Sequence, residues 1–98
     1  MGKPESKVED YLRDRVKATG GQIRKVRWIG RTGAADRLVW YTFPQVGFVE
    51  CKAARKAVDP RSSQGREFRR MSEAGWPIFE VNSCEDVDRV IDAIRGRK

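Results

Sequence analysis

The sequence predicts an α/β fold in the order α-β-β-β-α-β-α, and three observations carry that prediction. Apolar residues recur at helical spacing near both ends of the chain, four short runs are rich in β-branched and aromatic residues, and glycine, proline or capping residues separate the segments. At 98 residues the chain is expected to form a single domain, 1–98, around one modest core.

The first helix is read from "SKVEDYLRDRVKATGG", where Val8, Tyr11, Leu12 and Val16 fall on one face, Ser6 stands as N-cap and Gly20-Gly21 stops the helix. "QIRKVRWIG" reads as a basic first strand. "RTGAADRLVWYTF" passes from a glycine turn into a second strand, "PQVG" supplies turn residues, and "FVECKA" is the third strand, so the last two should form an antiparallel hairpin. Asp59 as N-cap, Pro60 as first helical residue and Gly75 beyond the end predict a helix from about Pro60 to Ala74. "WPIFEVN" follows as a fourth strand, parallel to the third because a helix links them. "SCEDVDRVIDAIRG" pairs Ser83 with Asp86 as a capping box and places Val87, Val90, Ile91 and Ile94 on one face of a last helix, after which the tail 95–98 is expected to fray.

Composition narrows the chemistry. With 21 Lys and Arg against 14 Asp and Glu, the net charge of +7 suits a polyanionic partner, nucleic acid first. No stretch approaches the roughly 18 apolar residues of a membrane span, so no membrane partner and a cytoplasmic location are the expectation. The absence of histidine excludes Ser-His and Cys-His nucleophilic sites and histidine-based metal sites, and Cys51 and Cys84 lack zinc or redox spacing. Hydrolysis by this chain would rely on carboxylates, lysine and a hard metal ion.

The third strand holds the most informative charges. Alternation puts Phe48, Glu50 and Lys52 on one face and Val49, Cys51 and Ala53 on the other, so a carboxylate and an ammonium share a side of an otherwise apolar strand. On its own, E-x-K is an ordinary surface pair. Asp36 changes that: with the hairpin centred on Pro44 it faces Lys52, with Glu50 as its diagonal neighbour, and two carboxylates converge beside a lysine. Such a pair binds Mg²⁺, which is held by one or two carboxylates plus phosphate oxygens.

"GAADRLVW", "FVECKA" and "DPRSSQGREFRRMSEAGWPIFEVNSCEDV" together resemble the VRR-NUC nucleases, a branch of the PD-(D/E)-x-K superfamily, from Gly33 to about Ile94. The resemblance implies a restriction-endonuclease-like α-β-β-β-α-β core with a mixed central sheet flanked by helices, plus a C-terminal helix. It implies Asp36 and Glu50 as metal ligands, the backbone carbonyl of Cys51 as a further ligand, Lys52 as catalytic lysine, Gln64 as the motif glutamine and Glu9 as an acidic residue completing the site. The cofactor implied is Mg²⁺, with Mn²⁺ as substitute. Ala35 departs from the proline common before the aspartate. Small stand-alone members resemble Holliday-junction resolvases, which implies a homodimer cutting branched DNA.

Lys25, Arg27, Arg31 and Arg37 flank the site segments and are the expected phosphate contacts, which give affinity without sequence readout. Trp28, Trp40 and Trp76 are read as core, interface or base-stacking residues. A non-catalytic nucleic-acid-binding module is the alternative reading, and a protein-binding regulatory domain a third.

Overall fold

A computed structural model describes residues 5–30, 34–54 and 56–98. Three helices and four strands follow one another as α1 (Glu5–Ala18), β1 (Gln22–Lys25), β2 (Arg37–Trp40), β3 (Val46–Cys51), α2 (Ser63–Glu73), β4 (Ile78–Val81) and α3 (Cys84–Arg95). This is the predicted order. The strands form one mixed sheet in the order β1-β2-β3-β4, antiparallel except for the β3–β4 pair, which is parallel across the α2 crossover.

One face of the sheet makes the core. Val39, Val49, Cys51 and Val81 point towards Leu12 and Val16 of α1 and Val87, Val90, Ile91 and Ile94 of α3, all essentially withdrawn from water. Burying these side chains is the main driving force for the fold. At Gly47 a Cβ would come within 2.7 Å of the Ile94 side chain, so the missing side chain lets α3 lie directly on β3.

Local structure departs from the sequence reading in four places. α2 begins at Ser63, not Pro60. Asp59 closes a turn by accepting from Arg61 N–H at 2.9 Å, and Ser62 is the N-cap, accepting from Gly65 N–H at 3.0 Å. Ser6 lies within α1 instead of capping it. β1 is short because the chain leaves the sheet after Val26, whose N–H still donates to the Asp36 carbonyl at 2.8 Å. The β2–β3 hairpin is centred on Phe43, not Pro44: Tyr41 N–H donates to Gln45 O and Gln45 N–H to Thr42 O, each at 2.8 Å. The pairing Arg37↔Val49 and Trp40↔Val46 follows from that turn.

α3 starts as predicted. Ser83 Oγ accepts from Asp86 N–H at 3.1 Å, and the Asp86 carboxylate accepts from Asn82 N–H, also at 3.1 Å. Among the described residues no helix is long and apolar enough to cross a membrane.

Candidate active site

The hairpin register determines which charges meet. Continued by one residue, it sets Asp36 opposite Glu50 instead of Lys52, a shift of two positions that keeps both carboxylates on the same face. Glu50 senses the Asp36 charge. Burial raises the Glu50 pKa first, a hydrogen bond from Gln64 opposes the rise, the Asp36 charge adds to it, and Lys52 again lowers it. The Glu50 side chain is only 13% exposed, and Lys52 Nζ stands 3.6 Å from its Oε2.

Gln64 reaches this point because α2 starts where it does. Gly65 next to it has no room for a Cβ, which would lie 2.2 Å from the Asp59 carbonyl oxygen, so the first turn of α2 sits tightly against the Asp59-Pro60 turn. β3, the start of β2 and the start of α2 thus bring Asp36, Glu50, Lys52 and Gln64 together.

Other expected site residues lie elsewhere. The Cys51 side chain belongs to the core at 6% exposure, and burial pushes its thiol up to about 12, which takes the thiol out of any ligand set. Glu9, expected to complete the ligands, faces the guanidinium of Arg37 at 3.1 Å. Arg37, expected to contact phosphate, is 14% exposed and also holds Asp36 at 2.9 Å. Lys25 lies in register with Arg37 and lines a cleft of about 210 Å³ with Glu9, Arg13 and Arg24. Arg27 is exposed in the segment after β1, and Arg31 falls outside the described residues.

No family model matches the chain. It is 32% identical over 90 residues to Putative nuclease p44 of Acyrthosiphon pisum secondary endosymbiont phage 1, covering 92% of this chain and 94% of that protein. A solved VRR_NUC domain superposes with a TM-score of 0.83 at 36% identity, covering 93% of this chain and 97% of the other. The chain belongs to the VRR-NUC nuclease family.

The mixed sheet with flanking helices is the VRR-NUC architecture expected from the sequence. Among the described residues of this VRR-NUC chain, no group of three or more Asp, Glu, Cys or His side chains is arranged around one point. The fit to a metal therefore rests on two carboxylates. Burial and the Asp36 charge disfavour the ionised form of Glu50, and a hard divalent ion beside its carboxylate would relieve that cost. Mg²⁺ fits such a set because it uses few protein ligands and takes the rest from water and phosphate.

Sequence reading missed Glu80. It is the direct partner of Glu50 in the parallel ladder, and its Oε2 accepts the Val58 N–H at 2.5 Å, tying the segment between β3 and α2 to the sheet. A carboxylate inside the apolar run "WPIFEVN" was the available signal, the same kind of signal that marked Glu50.

Proposed function

We propose that this VRR-NUC protein is a divalent-metal-dependent DNA endonuclease that hydrolyses phosphodiester bonds selectively in branched DNA, four-way junctions foremost, and acts as a homodimer. The observation that carries the reading is the convergence of Asp36, Glu50, Lys52 and Gln64 from three elements onto one face of the sheet. The nuclease relative and the VRR_NUC neighbour support the class of reaction.

Asp36 and Glu50 would hold the metal through carboxylate oxygens, with the Cys51 carbonyl as a further donor; Mn²⁺ suits the same atoms. When bound, the ion lowers the pKa of a coordinated water and neutralises charge developing on phosphate. Lys52 supplies a cation beside Glu50 and would stabilise negative charge developing on a bound phosphate. Gln64, whose amide opposes the rise in the Glu50 pKa, would orient that carboxylate. Lys25 and Arg27 supply sequence-independent attraction to the phosphate backbone.

The test is a panel of labelled four-way junction, flap, single-stranded and duplex DNAs, with and without Mg²⁺. Metal-dependent cleavage of the junction, lost in Glu50→Gln and Lys52→Ala proteins that remain folded, is expected. Equal cleavage of plain duplex would defeat the structure selectivity. Metal-independent binding without cleavage of any substrate would reduce the protein to a binding module.

A further inference from the structure

A cleft of about 300 Å³ is lined by Trp28, Phe48, Glu67, Met71 and Trp76, and three of these residues each lie one step from a candidate active-site residue. Phe48 is two residues before Glu50 on β3, on the same face and about 7 Å along the strand. Trp28 donates its Nε1–H at 2.8 Å to the carbonyl of Ala35, the residue before Asp36. Glu67 lies three residues after Gln64 on α2, one turn further along the helix. The cleft is therefore continuous with the site, and its volume is at the lower end of small-ligand sites.

Its walls are aromatic, with one polar group among them. The Phe48 ring touches both tryptophans, with centroids 5.7 Å from Trp28 and 6.5 Å, edge to face, from Trp76, and both indoles are exposed. Glu67 is the one charged residue in the lining; its side chain is 14% exposed, and Oε1 accepts from Arg70 at 2.9 Å, which leaves Oε2 as an acceptor for a ligand. We infer that this cleft takes an unpaired nucleobase beside the phosphodiester being cut, stacked on the tryptophans with its exocyclic amine on Glu67. Aromatic faces accept the π-face of a base, and a carboxylate accepts from an amino group such as cytosine N4. A purely apolar occupant would bury the carboxylate without a donor, a cost that a base amine removes. Cations for the adjoining backbone stand on either side: Lys52 follows Phe48 and Glu50 on the same face of β3, and Arg27 is exposed next to Trp28.

The inference rests on the nuclease reading above and names what the site would read in branched DNA. A base enters such a cleft only after leaving its stack, and the cost of that step is least where the base is already unpaired. Branch points supply such bases and intact duplex does not.

Single strands of about twelve nucleotides present their bases without unpairing, and equilibrium binding in chelator, followed by fluorescence anisotropy, reads the cleft apart from cleavage. The probes are oligo-dC, oligo-dT and a strand of abasic sugar-phosphates. The full-length native chain should bind oligo-dC about tenfold more tightly than oligo-dT, because thymine has no exocyclic amine and turns carbonyl oxygens towards the carboxylate. Trp28→Ala and Trp76→Ala should each weaken oligo-dC binding by about 5- to 100-fold and leave the abasic strand unchanged. Glu67→Leu should bring oligo-dC down to the affinity of oligo-dT. Thermal melts check that each variant is folded; Trp76, exposed beyond the end of α2, can be replaced without opening the core. Equal affinity of the native chain for oligo-dC and the abasic strand overturns the inference, as do folded Trp28→Ala and Trp76→Ala proteins that bind oligo-dC like the native chain. A loss shared equally with the abasic strand also overturns it, and oligo-dT bound as tightly as oligo-dC removes Glu67 from the contact. Variants that keep oligo-dC binding but lose self-association in sedimentation would assign the face to a second copy and overturn it too. Base-dependent binding as expected, with no DNA cut in Mg²⁺, leaves the cleft standing and sinks the nuclease reading alone.

Discussion

Arg37 and Glu9 meet at 3.1 Å between β2 and α1, and the same guanidinium holds Asp36 at 2.9 Å, so one arginine neutralises two carboxylates at the border of the candidate active site. At 14% exposure this pair lies between a surface and a buried ion pair in strength. Arg37→Met should cost roughly 1 to 2 kcal/mol in urea unfolding. Glu9→Gln in the Arg37→Met background should cost less than it does alone, with a coupling of about 1 kcal/mol. Additive effects would show that the two residues do not act as a pair.

Glu50 is expected to reduce the stability of the metal-free protein at neutral pH. Its carboxyl is raised above the ordinary value of 4.5 mainly by burial, so folding disfavours the charged form. Below pH 4.5 both folded and unfolded chains carry it neutral and the cost is absent; it grows as pH rises towards the folded pKa and is complete above it. With chelator present, Glu50→Gln should therefore raise the melting temperature at pH 7, with the gain shrinking as the pH falls towards 4.5. A loss of stability at pH 7 would contradict the sign.

Gly65→Ala should destabilise the chain by about 1 to 3 kcal/mol, because the added methyl overlaps the Asp59 carbonyl and the first turn of α2 must move. That movement displaces Gln64 from Glu50, so junction cleavage at a temperature where the variant is fully folded should fall as well. Calorimetry and cleavage rates on the same preparation separate the two effects.

Removing the Glu80 carboxylate leaves the Val58 N–H without its acceptor. Glu80→Leu should cost about 1 to 3 kcal/mol. Amide exchange at Val58 should quicken well beyond the change seen in β1, since the contact ties down one segment. Uniformly faster exchange would instead indicate global destabilisation.

The two thiols should differ sharply in reactivity. Cys84 is exposed at the start of α3, while Cys51 is buried with its thiol pushed up to about 12, which leaves almost no thiolate at neutral pH. A disulfide reagent should modify one cysteine per native chain and two after denaturation, and Cys84→Ser should abolish the native reaction. Two thiols reacting rapidly in native protein would contradict the core position of Cys51.

Much of this was determined by the sequence alone. Helix periodicity, strand alternation and turn residues are local properties, so the element order, the inward face of β3 and the capping of α3 by Ser83 could be read directly. Alternation also put Glu50 and Lys52 on one side, and no error in register by an even number of residues could separate them from Asp36. Tertiary structure alone decided the rest, because it depends on groups distant in sequence. The turn centred on Phe43 set Asp36 opposite Glu50, the packing of α1 on the sheet gave Arg37 to Glu9, and the parallel ladder brought Glu80 beside Glu50. The path of the chain left Trp76 and Phe43 exposed, which no local pattern distinguishes from an apolar run destined for the core.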